Sequence, residues 1–147
     1  MKKNHRQKGF TLIEVVAVIG LMVILSSLAM PTIKKSSFTM KSYARHLCTD
    51  IREVRMSKMT LGGQYSILLS KKYYKVLDGT QELKSVEIPD PFELLYGNEE
   101  VRFSYQGVPT HGGDTITIYN KDSRRFYQIT IVPASGRVLL LDELFGP

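Results

Sequence analysis

The spacing of apolar positions changes along the chain. From Phe10 to Met30 almost every residue is apolar, and Glu14 is the single ionisable side chain. As a helix, about 21 residues measure about 31 Å, which matches the hydrocarbon thickness of a bilayer. Pro31 lacks an amide donor and crowds the preceding turn, so a bend is expected there. Beyond it Met40, Ala44, Leu47, Ile51, Val54 and Leu61 recur at helical steps on one face. Lys41, Arg45, Asp50, Arg52 and Lys58 fall largely elsewhere. Gly62-Gly63 stops that helix. The pattern predicts one long helix, half apolar throughout and half amphipathic, with the second half positioned to cover a sheet.

After Gly63 the period shortens to two. Gln64–Ser70 and Tyr73–Leu77 read as a hairpin around Lys71-Lys72, and Asp78-Gly79 turns the chain into Glu82–Ile88. Pro89-Asp90-Pro91 interrupts. A second group follows at Val101–Tyr105, Thr115–Tyr119, Phe126–Val132 and Val138–Leu141. It is separated by Gly107, Gly112-Gly113, Asn120–Ser123 and Ser135-Gly136. Alternation in Thr115–Tyr119 and Tyr127–Ile131 predicts half-buried antiparallel strands. The expected fold class is α+β: a long N-terminal helix packed on an antiparallel β-sheet or small β-sandwich.

Charge sharpens the N-terminal reading. The formal net charge of +6 invites a nucleic-acid partner. However, Lys2, Lys3, Arg6 and Lys8 all precede the apolar run, and without them the charge is about +2. Lys and Arg beside a membrane segment stay on the cytoplasmic side, which puts the N-terminus inside and the C-terminal domain outside. Cys48 has no second cysteine to pair with, and with His5, His46 and His111 alone no zinc or redox site is expected. Cys48 falls where the helix would bury it, so plain packing is its expected role.

Three readings of Phe10–Met30 compete. A secretory signal accounts for the basic start, but Ser26-Ser27-Leu28-Ala29 is a poor cleavage site and the run is long for one. A plain single-pass anchor accounts for the length and leaves Glu14 unexplained. An intramembrane carboxylate costs about 2.5–3.5 kcal/mol near the bilayer centre, so it calls for a partner. A cut between Gly9 and Phe10 would create one. The new α-amino group of Phe10 could meet Glu14 of a neighbouring subunit, which turns the cost of the acid into a preference for assembly.

Lys8-Gly9-Phe10-Thr11-Leu12-Ile13-Glu14, followed by Val15–Leu21, closely resembles the type III signal of type IV prepilins and type II secretion pseudopilins. The resemblance implies a pilin-like fold and a membrane peptidase that cuts after Gly9 and N-methylates Phe10. It places Glu14 at the family's assembly acid and Pro31 near its helix kink. Further matches are to the GspH/FimT-like pseudopilin subgroup. They are Ile51-Arg52-Glu53-Val54-Arg55, the Gly107 turn after Phe103-Ser104-Tyr105, Thr115–Tyr119, and Ile129-Thr130-Ile131 leading to Gly136-Arg137-Val138. Competence pseudopilins of Gram-positive bacteria share this layout.

The chain then divides into a cleaved leader (1–9), a transmembrane and assembly helix (10–30), its amphipathic continuation (31–63) and an antiparallel β-domain (64–147). The implied role is a minor, non-enzymatic subunit. It is held as a single pass in the cytoplasmic membrane and then built into an extracytoplasmic pilus-like filament. The implied partners are the prepilin peptidase/methyltransferase, other pilins or pseudopilins, and membrane lipid before assembly.

Elsewhere the residues show no catalytic constellation, cofactor motif or metal set. His46 beside Arg45 reads as solvated, and His111 sits in a glycine turn. Lys121, Arg124 and Arg125, among Tyr119, Phe126 and Tyr127, could bind single-stranded nucleic acid by charge and stacking, or simply solvate a hairpin tip. Some DNA-gripping pseudopilins carry a G-R-x-R stretch. Here Gly136-Arg137-Val138-Leu139 keeps only Arg137, which weakens the alternative of a DNA-binding competence pseudopilin.

Overall fold

A computed structural model describes residues 11–28 and 35–145. The basic leader, Gly9, Phe10, Pro31 and the expected bend lie outside the described residues. The chain separates into two compact units, Met1–Lys34 and Lys35–Pro147.

In the first unit, α1 runs Leu12–Leu28. Its described side chains, Leu12 to Ile24, are all exposed, and Glu14 is the one charge among them. A helix that is apolar all round has no solvated face of its own and needs an apolar environment on every side. Its 17 residues measure about 26 Å. Among the described residues no helix is long and apolar enough to cross a membrane.

The second unit opens with α2 (Lys35–Leu61) and continues as eight strands: β1 (Tyr65–Leu69), β2 (Tyr73–Asp78), β3 (Gln81–Glu87), β4 (Phe92–Leu95), β5 (Glu100–Arg102), β6 (Asp114–Asn120), β7 (Arg125–Ile131) and β8 (Val138–Phe145). They form two antiparallel four-stranded sheets, ordered β3-β2-β1-β5 and β4-β6-β7-β8. The predicted apolar face of α2 (Met40, Ala44, Leu47, Ile51, Val54) is buried, together with Cys48. It meets Ile67, Leu69 and Tyr74 from the first sheet and Ile116, Ile118, Ile129 and Ile131 from the second in one core. Inward positions alternate along β6 and β7, as the period of two requires.

Leu61 departs from the predicted face. It is 72% exposed, because α2 ends there and Gly62 turns away with φ 73°. The expected strand Val101–Tyr105 is shorter, since Phe103 leaves the ladder to bridge Pro109. The sequence pattern also missed β4. It has four residues, directly follows Pro89-Asp90-Pro91, and finds its partner far along the chain, pairing Phe92 with Asn120 and Leu95 with Thr117.

Asp50 is the main correction. It was expected off the apolar face, yet it is buried at 4% exposure. The Tyr74 hydroxyl donates to its Oδ2 at 2.7 Å, and Lys84 Nζ reaches Oδ1 and Oδ2 at 2.7 and 2.8 Å. Partners from β2 and β3 therefore satisfy a carboxylate that would be costly alone. Burial, followed by the hydrogen bond to Asp50, pushes the Tyr74 phenol far above its usual range.

Two arginines fix the far half of α2 to the loops. Arg52 donates to the Val138 carbonyl at 2.8 Å, and Arg55 donates to the Gly107 and Ser135 carbonyls at 2.8 and 3.1 Å. The clamp needs two glycines in left-handed conformation, Gly107 (φ 76°) and Gly136 (φ 61°). A Cβ on Gly136 would lie 1.9 Å from the Gly107 carbonyl oxygen, whereas one on Gly112 would meet nothing within 4 Å.

Gly112→Ala is therefore expected to cost about 1–2 kcal/mol, the left-handed penalty alone. Gly136→Ala should cost a further 1–3 kcal/mol or so from overpacking, with both read by denaturant unfolding. Tyr74→Phe should destabilise by about 1–3 kcal/mol at neutral pH by removing a donor from a buried carboxylate. The wild-type advantage has a defined pH window. A folded pKa raised above the unfolded value, about 10, contributes fully below that pH and is lost as pH rises through the folded value. The gap between the two proteins should hold to about pH 9 and narrow above pH 10.

Candidate assembly site

The predicted functional residues lie in the N-terminal segment and at two places on the β-domain. Thr11 immediately precedes α1, and the Glu14 amide donates to the Thr11 carbonyl at 3.0 Å with a longer contact, 3.4 Å, to Thr11 Oγ1. Thr-x-x-Glu is the spacing of a capping box, a signal that the apolar reading of this segment overlooked. Glu14 thus occupies the first turn of α1, where the helix dipole favours a carboxylate. Its side chain is exposed. Chemically, the arrangement is a negative charge one turn into an apolar rod, ready for a cation at that end.

The four candidate nucleic-acid residues do not converge. Asn120, buried at the end of β6, accepts from the Asp122 and Ser123 amides at 2.9 and 3.1 Å and shapes the β6–β7 tip. Arg124 follows in left-handed conformation (φ 53°) and Arg125 begins β7, both exposed. Lys121 is tied to Glu93 at 2.9 Å. Arg137 lies on the turn at the other end of β7, a strand of 7 residues and so about 20 Å away.

The remaining polar candidates have structural settings. The Cys48 thiol is buried, and burial raises its pKa. His46 is exposed on α2. His111 Nδ1 is 3.3 Å from Thr110 Oγ1 beside the Gly112 turn. Asp114 accepts from the Gly97 and Asn98 amides and so pins the loop before β5. Among the described residues, no group of three or more His, Cys, Asp or Glu side chains could hold a metal ion.

Residues 4–30 match the family described as the prokaryotic N-terminal methylation motif. Competence protein ComGD of Bacillus subtilis (strain 168) is 27% identical over 139 residues, covering 92% of this chain and 94% of that protein. Two solved structures share the fold. The minor pseudopilin EpsH from the type 2 secretion system of Vibrio cholerae has a TM-score of 0.60 at 14% identity, over 69% of this chain and 95% of its own. The type IV minor pilin FimU of Pseudomonas aeruginosa has a TM-score of 0.61 at 15% identity, over 76% of this chain and 92% of its own. The chain is thus similar to type IV pilins and pseudopilins at three levels: a methylation motif over residues 4–30, sequence likeness to a competence protein over 92% of its length, and a fold shared with two minor pilin-like subunits.

Proposed function

We propose that this protein is a minor pseudopilin, a structural subunit of a type IV pilus-like filament. The carrying observation is Glu14 in the first turn of an otherwise apolar helix, inside a methylation motif and followed by a pilin-like domain. A prepilin peptidase cuts after Gly9 and methylates the new amine of Phe10. Before assembly the apolar segment holds the subunit in the cytoplasmic membrane as a single pass, with the N-terminus inside and the β-domain outside. During assembly the Phe10 amine of one subunit and Glu14 of its neighbour neutralise each other, so the acid costs least inside the bundle. Pro31 supplies the bend between the buried and exposed parts of the subunit. The protein performs no chemistry of its own. Among pilus, secretion and competence machines, likeness to a competence protein over 92% of the chain favours competence.

Glu14→Val should insert and be cleaved normally, yet its recovery in sheared filaments should fall about tenfold or more. That is the loss expected for an ion pair worth more than about 1.4 kcal/mol away from water. Unchanged incorporation would contradict the pairing. The alternative role, a β6–β7 tip that grips single-stranded DNA, is disfavoured by the Lys121–Glu93 pair and by the distance to Arg137. The domain from Lys35 onward carries its own core. Mixed with single-stranded DNA, it should show no salt-sensitive binding at low ionic strength, and a shift that collapses with added salt would restore the alternative.

A further inference from the structure

The turn that Arg55 clamps also lies against a thioether. A Cβ built on Gly107 would stand 2.5 Å from Met59 Sδ and 3.0 and 3.1 Å from Arg55 Nε and Nη2. Sulfur and guanidinium therefore share one small space over the bare glycine. There Arg55 donates to the Gly107 and Ser135 carbonyls at 2.8 and 3.1 Å. A thioether is a weak acceptor and leaves those bonds undisturbed. The methionines of α2 differ in setting. Met40 is buried at 1%, whereas Met59 is 42% exposed and Met56, one turn earlier, 58%. Met56 contributes none of the atoms nearest to Gly107 or Gly136. Of these three, Met59 alone combines solvent access with a place in the clamp.

We infer that Met59 is an oxidation site whose sulfoxide releases the Gly107 turn. The oxidant is a peroxide. A lone pair on Sδ attacks one oxygen of hydrogen peroxide, the O–O bond breaks and an S–O bond forms. The departing hydroxide takes the proton of the transferred hydroxyl, so the thioether loses two electrons and the peroxide ends as water. The product is a polar sulfoxide where a soft apolar atom lay. Its oxygen is one bond from Sδ and so within reach of the guanidinium. Arg55 then has a competing acceptor, and the Gly107 carbonyl loses its donor. Because Arg55 joins the Gly107 turn to the Ser135 turn, a single oxygen atom loosens both. The Arg52 contact to Val138 and the buried face of α2 stay in place, so the change is local. The inference concerns the second unit alone and stands independently of the filament role.

The test uses the full chain in detergent micelles, titrated with hydrogen peroxide. Peptide mass spectrometry locates each added oxygen, and hydrogen exchange is followed at the Gly107 and Gly136 amides. In the reduced chain these amides donate to the Ser104 and Val132 carbonyls at 2.9 and 2.8 Å. Oxidation of Met59 should speed exchange at both turns about tenfold or more. The Met56→Leu chain should respond in the same way. Met59→Leu, a volume-conserving change, should keep both turns slow after peroxide even with Met56 oxidised. Met59→Gln, which brings an amide oxygen to the guanidinium, should exchange fast without peroxide. The inference is overturned if Met59 stays reduced where Met56 is oxidised, or if its sulfoxide leaves both turns slow. It is equally overturned if Met59→Leu responds to peroxide as the wild type does, or if Met59→Gln exchanges as slowly as the reduced wild type.

Discussion

A carboxylate in an apolar helix is the constraint on which the first unit of this protein depends. Glu14 has no cation within its own helix, and the side chains around it from Leu12 to Ile24 are exposed and apolar. Thr11 and the start of α1 give the carboxylate a favourable local setting, worth on the order of 1 kcal/mol or less. That is smaller than the cost of burying an acid in hydrocarbon. The balance leaves a residual penalty that an external cation would remove, and the N-terminus that the proposed cut after Gly9 would create is such a cation. Processing and assembly are coupled on this account through a single charge.

The second unit solves a different problem, which is to hold a small sandwich rigidly on a helix. The apolar face of α2 supplies the cohesion and is shared by both sheets. Direction comes from polar contacts. Asp50 ties α2 to β2 and β3, while Arg52 and Arg55 tie it to the Gly107 and Ser135–Val138 turns. The buried Asp50 carboxylate is held by a half-exposed Lys84, so the pair chiefly keeps a costly buried charge satisfied and fixes where β3 crosses α2.

Legibility in the sequence followed the range of the interactions. The buried face of α2 was readable because helical spacing is local, and β6 and β7 were readable because alternation is local too. Glu14 stands out in the sequence by its chemistry, as one acid in an apolar run. Leu61 misled because periodicity carries no information about where the covering sheet ends. Strand β4 was hidden because its evidence is pairing with β6, some twenty residues further along the chain. Asp50 was misplaced because its partners, Tyr74 and Lys84, come from strands that only the tertiary fold brings over the helix. The scatter of Lys121, Arg124, Arg125 and Arg137 across both ends of β7 was equally invisible, since sequence proximity to turns says nothing about which turns share an end.

The central claim is that cutting after Gly9 creates the charge that Glu14 needs and commits the subunit to a filament. The most direct measurement is the intact mass of the chain recovered from filaments sheared off the cell surface. The account predicts a chain lacking Met1–Gly9 and carrying one added methyl group on Phe10. Recovery of the uncut chain in filaments, or of a cleaved chain found only in the membrane and never in filaments, would contradict it.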